Sequence, residues 1–144
     1  MSDFILIDGD TVNFVPVFAP ANVVVRPGTI RGTGQATFKG KPVCVAGDES
    51  KVSVPGCAYV APPYVIPGTG TLKIDSLGGD QTAIKTNSGG KSVLLKGTLF
   101  TAKFEVQSPA QQPPPGPGSP IPDATISYMG QGSFITSNTK WKGT

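Results

Sequence analysis

The sequence contains no histidine, and this absence excludes much of the chemistry that enzymes use. Without an imidazole, neither Ser-His-Asp nor Cys-His nucleophilic catalysis can be assembled, and the commonest metal ligand is missing. The two cysteines, Cys44 and Cys57, cannot complete a tetrahedral zinc site without carboxylates such as Asp48 or Glu49. The sequence therefore predicts no catalytic residue, no metal and no cofactor.

Charged residues are also scarce, at 15% of the chain with a net charge of +3. The twelve Lys and Arg residues are scattered along the sequence without forming a basic stripe. Nucleic-acid binding usually needs a basic patch with interleaved aromatic residues. We therefore expect no nucleic-acid partner.

Long apolar runs are missing as well. No stretch approaches the roughly 20 residues that cross a bilayer as a helix. Residues 1–8 have neither the basic region nor the long apolar core of a secretory signal peptide. We expect a protein made in the cytoplasm, in which Cys44 and Cys57 are buried thiols; a disulfide between them is the alternative.

Helical periodicity is absent, because 19 Gly and 15 Pro residues interrupt almost every short window of the sequence. Short apolar or alternating runs bounded by turn residues are typical of strands. In a chain of 144 residues this pattern predicts a single all-β domain, residues 1–144, built from short β-hairpins. A partly disordered chain is the alternative.

Three stretches carry specific expectations. Val93 to Lys96 and Leu99 to Val106 are predicted to form a hairpin with Gly97 at the bend. Residues 52–66 contain several prolines and are predicted to be a loop or a sheet edge, because proline cannot donate to a β ladder. Residues 107–122 are predicted to be a long exposed Pro-rich loop without a ladder, either a flexible insertion or a segment stiffened by a neighbouring subunit.

A Gly-x-Gly motif followed by a strand-like run occurs three times. The copies begin at Gly32, Gly68 and Gly130, and each places a second glycine two residues later, at Gly34, Gly70 and Gly132. Glycine permits close approach of backbones. The recurrence predicts a small, compact domain with irregular threefold internal repetition.

Two acidic pairs are candidate catalytic groups. Asp8 with Asp10, and Asp48 with Glu49, have the residue type that a glycosidase needs, but aspartates in turns more commonly bond their own backbone. Ser88-Gly89-Gly90-Lys91-Ser92 has the look of a phosphate loop, but no helix signal follows it and Lys85 stands where the first glycine is required. Both features are predicted to be turns.

The segment Gly40-Lys41-Pro42-Val43-Cys44-Val45-Ala46-Gly47-Asp48 resembles PAAR-repeat proteins, which carry a Gly-Lys-Pro-Ala-Ala-Arg-x-Gly-Asp element at this kind of turn and strand. The Pro-rich stretch with Cys57 and the glycine-led strand of residues 66–74 follow in the family's order. The resemblance covers residues 19–106. The element is altered to Pro42-Val43-Cys44-Val45, without the arginine.

The resemblance implies a non-enzymatic tip protein of a contractile injection machine, such as a type VI secretion spike, a phage tail or an extracellular injection particle. Such a protein is a small cone that caps the trimeric β-helical spike, one copy per trimer, and sharpens it for penetration of an envelope. Implied partners are the spike, possible effector cargo and, transiently, the target membrane. It is made in the bacterial cytoplasm and delivered outside the cell. The family's metal site of three His and one Cys cannot form here, so the resemblance implies a metal-free variant.

Two assignments follow for binding residues. The glycines of the three motifs are predicted to form the spike-binding base: Gly32, Gly34, Gly68, Gly70, Gly130 and Gly132. The alternative function is a β-sandwich or barrel adhesion module that binds glycan or protein through an exposed aromatic cluster, for which Tyr59, Tyr64 and Tyr128 are the candidates.

Overall fold

The computed structural model describes residues 3–114, 116–138 and 140–144, and these residues are almost entirely β structure. The predicted all-β fold class is confirmed. One 3-10 turn, Asp48–Lys51, is present within the described ranges. The strands are β1 (Asp3–Phe4), β2 (Asp10–Phe14), β3 (Val17–Phe18), β4 (Ala21–Val23), β5 (Gly28–Ile30), β6 (Thr37–Phe38), β7 (Lys41–Pro42), β8 (Ser53–Ala61), β9 (Tyr64–Ser76), β10 (Thr82–Ser88), β11 (Lys91–Leu94), β12 (Phe100–Ser108), β13 (Gln111–Gln112), β14 (Ile121–Pro122), β15 (Ser127–Ile135) and β16 (Lys142–Gly143).

A large antiparallel sheet forms one half of the molecule. Its strands lie in the order β3-β4-β8-β9-β12-β15-β2-β5, and the β13–β14 pair attaches beside β9. The sheet curls into a half-barrel, because β3 packs against β15 and the Val15 N–H donates to the Gln131 carbonyl at 2.8 Å. The curl brings both ends of the sheet around one apolar core.

Aromatic rings fill this core. The ring of Phe100 packs edge-on against Phe14 at 5.8 Å between centroids and against Phe134 at 5.0 Å. The ring of Phe104 contacts Tyr59 at 5.1 Å. Each fully buried aromatic side chain stabilises the fold by about 1.5–3 kcal/mol, so this cluster fixes the curl of the sheet.

Three two-stranded units form the other half. The first hairpin is β6–β7, the second hairpin is β10–β11, and the terminal pair joins β16 to β1. Gly40 and Gly90 lie at the bends of the two hairpins with φ of 80° and 81°, a region that favours glycine. The turn prediction for Ser88 to Ser92 is therefore confirmed, with Ser88 paired to Lys91.

A closed ring of backbone hydrogen bonds joins these units. The Leu6 N–H donates to the Leu94 carbonyl at 2.9 Å, the Leu94 N–H to the Cys44 carbonyl at 2.8 Å, and the Cys44 N–H to the Leu6 carbonyl at 2.8 Å. We call residues 5–7, 43–45 and 93–95 the central triangle. Each pair of its segments also forms one antiparallel bridge: Ile5 with Leu95, Ile7 with Val43, and Val45 with Val93.

A second set of bonds repeats the same threefold pattern around the triangle. The N–H groups of Asp8, Ala46 and Lys96 donate to the carbonyls of Pro42, Ser92 and Phe4, at 2.8, 2.8 and 2.9 Å. In each case the residue that follows a triangle segment bonds to the residue that precedes the next one. The triangle is therefore a threefold unit in its backbone, although its three sequences differ.

The central triangle separates two cores, because side chains alternate between its faces. Leu6, Cys44 and Leu94 belong to the half-barrel core. The flanking residues of each segment belong to a second core that the two hairpins and the terminal pair enclose: Ile5, Ile7, Val43, Val45, Val93 and Leu95, with Ala83.

The chain passes through the triangle three times in one topology. From each triangle segment it enters a strand of the half-barrel, β2, β8 or β12, and returns along β5, β9 or β15. It then enters the outer strand of a small unit, β6, β10 or β16. The threefold repetition expected from the sequence is thus present, and the triangle segments, rather than the glycine motifs, carry it.

Two local predictions are wrong. Residues 52–66 are not a loop or an edge: β8 and β9 form a long antiparallel pair inside the large sheet, and β8 accommodates Pro55 at a register shift between Val54 and Cys57. Residues 93–96 do not pair with residues 99–106. After Gly97 the chain leaves the triangle, so β11 pairs with β10 while β12 pairs with β9 and β15.

The Pro-rich segment is more ordered at its ends than expected. β13 pairs with β14, Gln111 also faces Ile66 of β9, and Ala110 is fully buried. The expectation that residues 107–122 form no ladder is therefore wrong at residues 107–108, which end β12, and at residues 111–112 and 121–122. The exposed part of the segment lies between β13 and β14, at residues that include Pro113, Gly116 and Ser119.

Candidate functional site

The two hairpins and the terminal pair contact one another pairwise and form a closed ring, the hairpin ring. The Ala36 N–H, before the first hairpin, donates to Ser88 Oγ of the second hairpin at 2.9 Å. The Thr144 carbonyl beside the terminal pair accepts the N–H groups of Lys85 and Thr86 from the second hairpin. The third contact is a stack of Phe38 on Trp141, described next.

The second core fills the interior of the hairpin ring. Its seven aliphatic side chains are at most 4% exposed, and Ala36, Phe38 and Trp141 pack against them. Phe38 stacks on Trp141 with 6.1 Å between ring centroids, and the Trp141 carbonyl accepts the Ile5 N–H at 3.1 Å. A filled interior and a closed backbone ring make this end of the molecule rigid.

Buried carboxylates brace the corners of the central triangle. Asp48 Oδ2 accepts the Val45 N–H at 2.9 Å and the Thr33 N–H at 3.1 Å, and Asp48 Oδ1 accepts the Thr33 hydroxyl at 2.7 Å. Asp10 repeats this geometry, accepting the Ile7 N–H at 2.8 Å and the Ser137 N–H at 3.3 Å. Both aspartates bond backbone as turn residues do. Each also ties a triangle segment to the chain that enters the outer strand of the unit before that segment: Asp48 to the chain before β6, and Asp10 to the chain before β16.

The third corner uses different residues. Thr98 stands where Asp10 and Asp48 stand in the other two repeats, and the Leu95 N–H donates instead to the Gln81 carbonyl at 2.9 Å. Gln81 is fully buried, and its amide donates to the Lys96 carbonyl at 3.3 Å. The Asp3 carboxylate accepts the Gly97 N–H at 2.9 Å. The corner is therefore hydrogen-bonded although the acidic residue is absent.

The PAAR-like element forms one of the three segments of the central triangle. Pro42 ends β7, and Val43, Cys44 and Val45 are the middle segment of the triangle. Cys44 and Cys57 are both buried free thiols. Burial, with the nearby carboxylates of Asp48, Asp10 and Asp8, raises the pKa of the Cys44 thiol far above its usual value, so Cys44 acts as a small apolar core residue.

The six motif glycines lie in two different places. Gly68 and Gly70 are in β9, and Gly130 and Gly132 are in β15, whereas the first copy, Gly32 and Gly34, lies beside the triangle between β5 and β6. A Cβ at any of the six would meet atoms of the chain itself: Gly32 and Gly34 face Pro42 and Val43, Gly68 faces Ala110, Gly70 faces Phe104, Gly130 faces Phe18 and Gly132 faces Phe100. Each glycine thus already provides a close approach within the fold.

The candidate aromatic cluster is not exposed. Tyr59 and Tyr128 are only 1% and 7% exposed, and both hydroxyls donate to Asp123 Oδ2, at 3.0 and 2.5 Å. The Tyr59 hydroxyl also accepts the Ala110 N–H at 2.9 Å. Tyr64 is half-buried against the same core. Tyr59 and Tyr128 therefore do not provide the exposed aromatic cluster that the alternative adhesion function needs, because they anchor the root of the Pro-rich segment.

The Tyr59–Tyr128–Asp123 network shifts the pKa values of its members. Burial raises the pKa of Tyr59 to about 12. Burial alone would raise the pKa of Asp123, but hydrogen bonds from Tyr128, Thr125 and Tyr59 outweigh it and hold that pKa below its usual value. Asp123 is therefore a buried, hydrogen-bonded carboxylate at neutral pH.

Basic side chains gather on the hairpin ring. The scattered lysines of the sequence are brought together here, two on each unit and all exposed: Lys39 and Lys41, Lys85 and Lys91, and Lys140 and Lys142. Asp3 is the only acidic side chain among the residues of the three units that the structure describes. Lysines that are scattered along the sequence thus share one end of the folded chain.

Within the described ranges, no helix is long and apolar enough to cross a membrane. Within the same ranges, no three or more Cys, Asp or Glu side chains are grouped so that they could hold a metal ion.

These features define a class of protein: a small all-β domain with a rigid, pseudo-threefold end. The family model for contractile injection system spike tip proteins matches residues 1–144, the whole chain. The chain therefore belongs to the contractile injection system spike tip family. No curated protein matches it.

Proposed function

We propose that this spike tip protein caps a trimeric β-helical spike with its hairpin ring, one copy per spike trimer. The observation that supports this most directly is the central triangle, whose backbone bonds follow a threefold pattern. A single chain can meet three identical chains equivalently only if it presents three similar surfaces. The hairpin ring has three such units.

The opposite end of the molecule lacks this symmetry. There β3 and β4 are inserted in the first repeat and the β13–β14 pair with the Pro-rich segment in the third. The second repeat has only the turn at Pro62 and Pro63 between β8 and β9. We therefore propose that this far end points away from the spike and leads into the envelope.

The proposed role is mechanical and involves no catalysis. Covering the open strand edges at the end of a spike blocks unwanted pairing, and a closed, filled ring resists deformation under load. Transient contact with a target membrane and carriage of effector cargo belong to the same proposal, as does the folding of residues 1–144 as one domain.

The contribution of the motif glycines to docking stays a prediction. Gly32 and Gly34 lie next to the triangle and are the copies placed nearest to the proposed interface. A side chain at Gly68 or Gly132 would clash with the chain itself. Substitution there would disturb the fold, so a docking test needs exposed residues instead.

Site-specific crosslinking tests both the partner and the orientation. Thr37 and Asn87 occupy equivalent exposed positions of the two hairpins, opposite Pro42 and Ser92. Each is replaced by cysteine, labelled with a photo-crosslinker and mixed with the spike protein of the same particle. The native Cys44 and Cys57 are buried and should not compete. We expect both ring positions to crosslink to the spike.

Matched controls carry the same label at the far end, at Ser119 and Thr125, which are also exposed. These should not crosslink. Native mass spectrometry of the unmodified proteins should give one tip chain with three spike chains. Crosslinks from Ser119 alone would reverse the proposed orientation, and a stable free homotrimer without affinity for the spike would refute the proposed function.

A further inference from the structure

The six lysines of the hairpin ring follow its threefold order. Each unit carries two: Lys39 and Lys41, Lys85 and Lys91, and Lys140 and Lys142. Together they are half of the chain's twelve Lys and Arg residues. Lys41 and Lys91 occupy equivalent register positions, opposite Phe38 and Ser88 beside the bends of their hairpins.

The fold does not neutralise these lysines. Among the residues the structure describes, ion pairs involve Arg31, Lys73 and Lys103, and none involves a ring lysine. The one acidic side chain of the ring, Asp3, already accepts the N–H groups of Phe4 and Gly97. Six like charges therefore face solvent around one small end of the molecule.

Two of the lysines are held in place by aromatic rings. The Lys39 ammonium lies 5.5 Å from the centroid of Phe38, and the Lys142 ammonium lies 4.9 Å from that of Phe4. Each ammonium is attracted to the negative face of its aromatic ring. These contacts limit the positions that these two ammonium groups sample, so these charges have defined places on the ring.

We infer that the surface docked by the hairpin ring is acidic, with carboxylates of each of the three spike chains facing one lysine pair. This inference rests on the proposed docking of the ring on a spike. A cluster of like charges is unfavourable in the free protein and becomes favourable against a complementary surface. An anionic membrane would also attract lysines, but it does not require their threefold arrangement or the rigid frame beneath them.

Charge neutralisation on the ring tests the inference. In the ring variant, Lys41, Lys91 and Lys142 are each changed to Gln, one per unit. In the control variant Arg26, Lys51 and Lys103 are changed to Gln, so that the loss of charge is equal but lies off the ring. The Kd for the spike protein of the same particle is measured at about 50 mM and about 0.3 M NaCl, since the Debye length falls over this range.

The ring variant should bind about 10- to 100-fold more weakly at low salt, as three rim charges worth about 0.5–1 kcal/mol each would give. The deficit should shrink at high salt, and the control variant should stay within about 3-fold of the wild type. Unchanged melting temperatures would show that both variants are folded.

Three outcomes overturn the inference in different ways. If the ring variant binds the spike as tightly as the wild type while the complex keeps its one-to-three ratio, the charge inference fails and the docking proposal survives. If the wild type does not bind the spike at all, both fail. If the ring variant keeps its affinity for the spike but no longer floats with vesicles of equal parts phosphatidylcholine and phosphatidylglycerol, the lysines serve a membrane instead.

Discussion

Replacing Asp48 by alanine tests the account of the central triangle most directly. The carboxylate accepts three hydrogen bonds, from the Val45 N–H, the Thr33 N–H and the Thr33 hydroxyl, and its residue is only 4% exposed. In the alanine variant the buried Val45 N–H loses its partner, whereas Thr33 is exposed and can bond water. The variant should therefore lose mainly the triangle bond and the tie to the chain before β6.

The expected cost follows from these contacts. A hydrogen bond to a charged group contributes about 1.5–3 kcal/mol, and an unpaired buried donor costs about 1–3 kcal/mol. With part of the Thr33 contribution recovered by water, Asp48→Ala should lower the free energy of unfolding by about 3–5 kcal/mol. Asp48→Asn keeps one acceptor oxygen and should cost less, about 1–3 kcal/mol, so it reports on the site even if the alanine variant does not fold.

Equilibrium unfolding in urea is the assay, and the chain has one tryptophan to report it. Trp141 stacks on Phe38 in the hairpin ring, so its fluorescence follows this half of the molecule. The control is Glu49→Ala, which removes an adjacent carboxylate that accepts one exposed bond from the Gly47 N–H; it should cost less than about 1 kcal/mol. Equal effects of Asp48→Ala and Glu49→Ala would refute the structural role given to Asp48.

Three further outcomes are expected. Tyr59→Phe leaves the Ala110 N–H without its partner and should lower the free energy of unfolding in urea by about 2–4 kcal/mol. Tyr64→Phe makes the same deletion at a half-buried ring and should lower it by less than about 1 kcal/mol. Similar decreases for the two variants would contradict the role given to the Tyr59–Tyr128–Asp123 network. Because the pKa of Asp123 is lowered in the fold, its contribution to the free energy of unfolding should be complete above the unfolded pKa of about 3.9. It should be lost as the pH falls through the lower folded pKa. Asp123→Asn should remove this acid dependence from urea midpoints measured across that range. The Cys44 thiol should react with a thiol reagent only on unfolding, since burial raises its pKa and blocks access; fast reaction in native buffer would contradict its place in the core.

Local patterns in the sequence predicted the fold class and several turns. Gly and Pro excluded long helices, and alternating apolar residues indicated strands, which is what the described residues show. The reading of Asp10 and Asp48 as turn residues that bond their own backbone is confirmed by their bonds to Ile7 and Val45. These features depend on a few neighbouring residues, so a single sequence contains them.

The threefold core was harder to see, because its repeats share a backbone pattern rather than a sequence. Ile5-Leu6-Ile7-Asp8-Gly9-Asp10 and Val43-Cys44-Val45-Ala46-Gly47-Asp48 do align, with an alternating apolar run followed by Gly-Asp. That pair was the signal available in the sequence. The third copy, at residues 93–95, lacks the aspartate, and the Gln81 carbonyl accepts the Leu95 N–H in its place. No local pattern reveals such a replacement.

The positions of the lysines and tyrosines depend on contacts between segments that are distant in sequence. The ring lysines are separated by many residues in sequence and share one end of the molecule only when the three units assemble. Tyr59 and Tyr128 are buried because Asp123, distant from Tyr59 in sequence, offers both hydroxyls an acceptor. Both features depend on pairing between segments that are distant in sequence, and composition gives no information about that pairing.

The uneven spacing of the repeats itself supports the assignment of the two ends. The three segments of the central triangle are equal in length, whereas the excursions through the half-barrel differ: the first adds β3 and β4, the third adds β13, β14 and the Pro-rich segment, and the second adds neither. A surface that must match three identical chains tolerates no insertion in one repeat alone, because the insertion would break the fit to one chain and not the others. A leading end that meets no symmetric partner is free of that constraint. In the proposed orientation the insertions lie at the end opposite the spike, in agreement with this expectation.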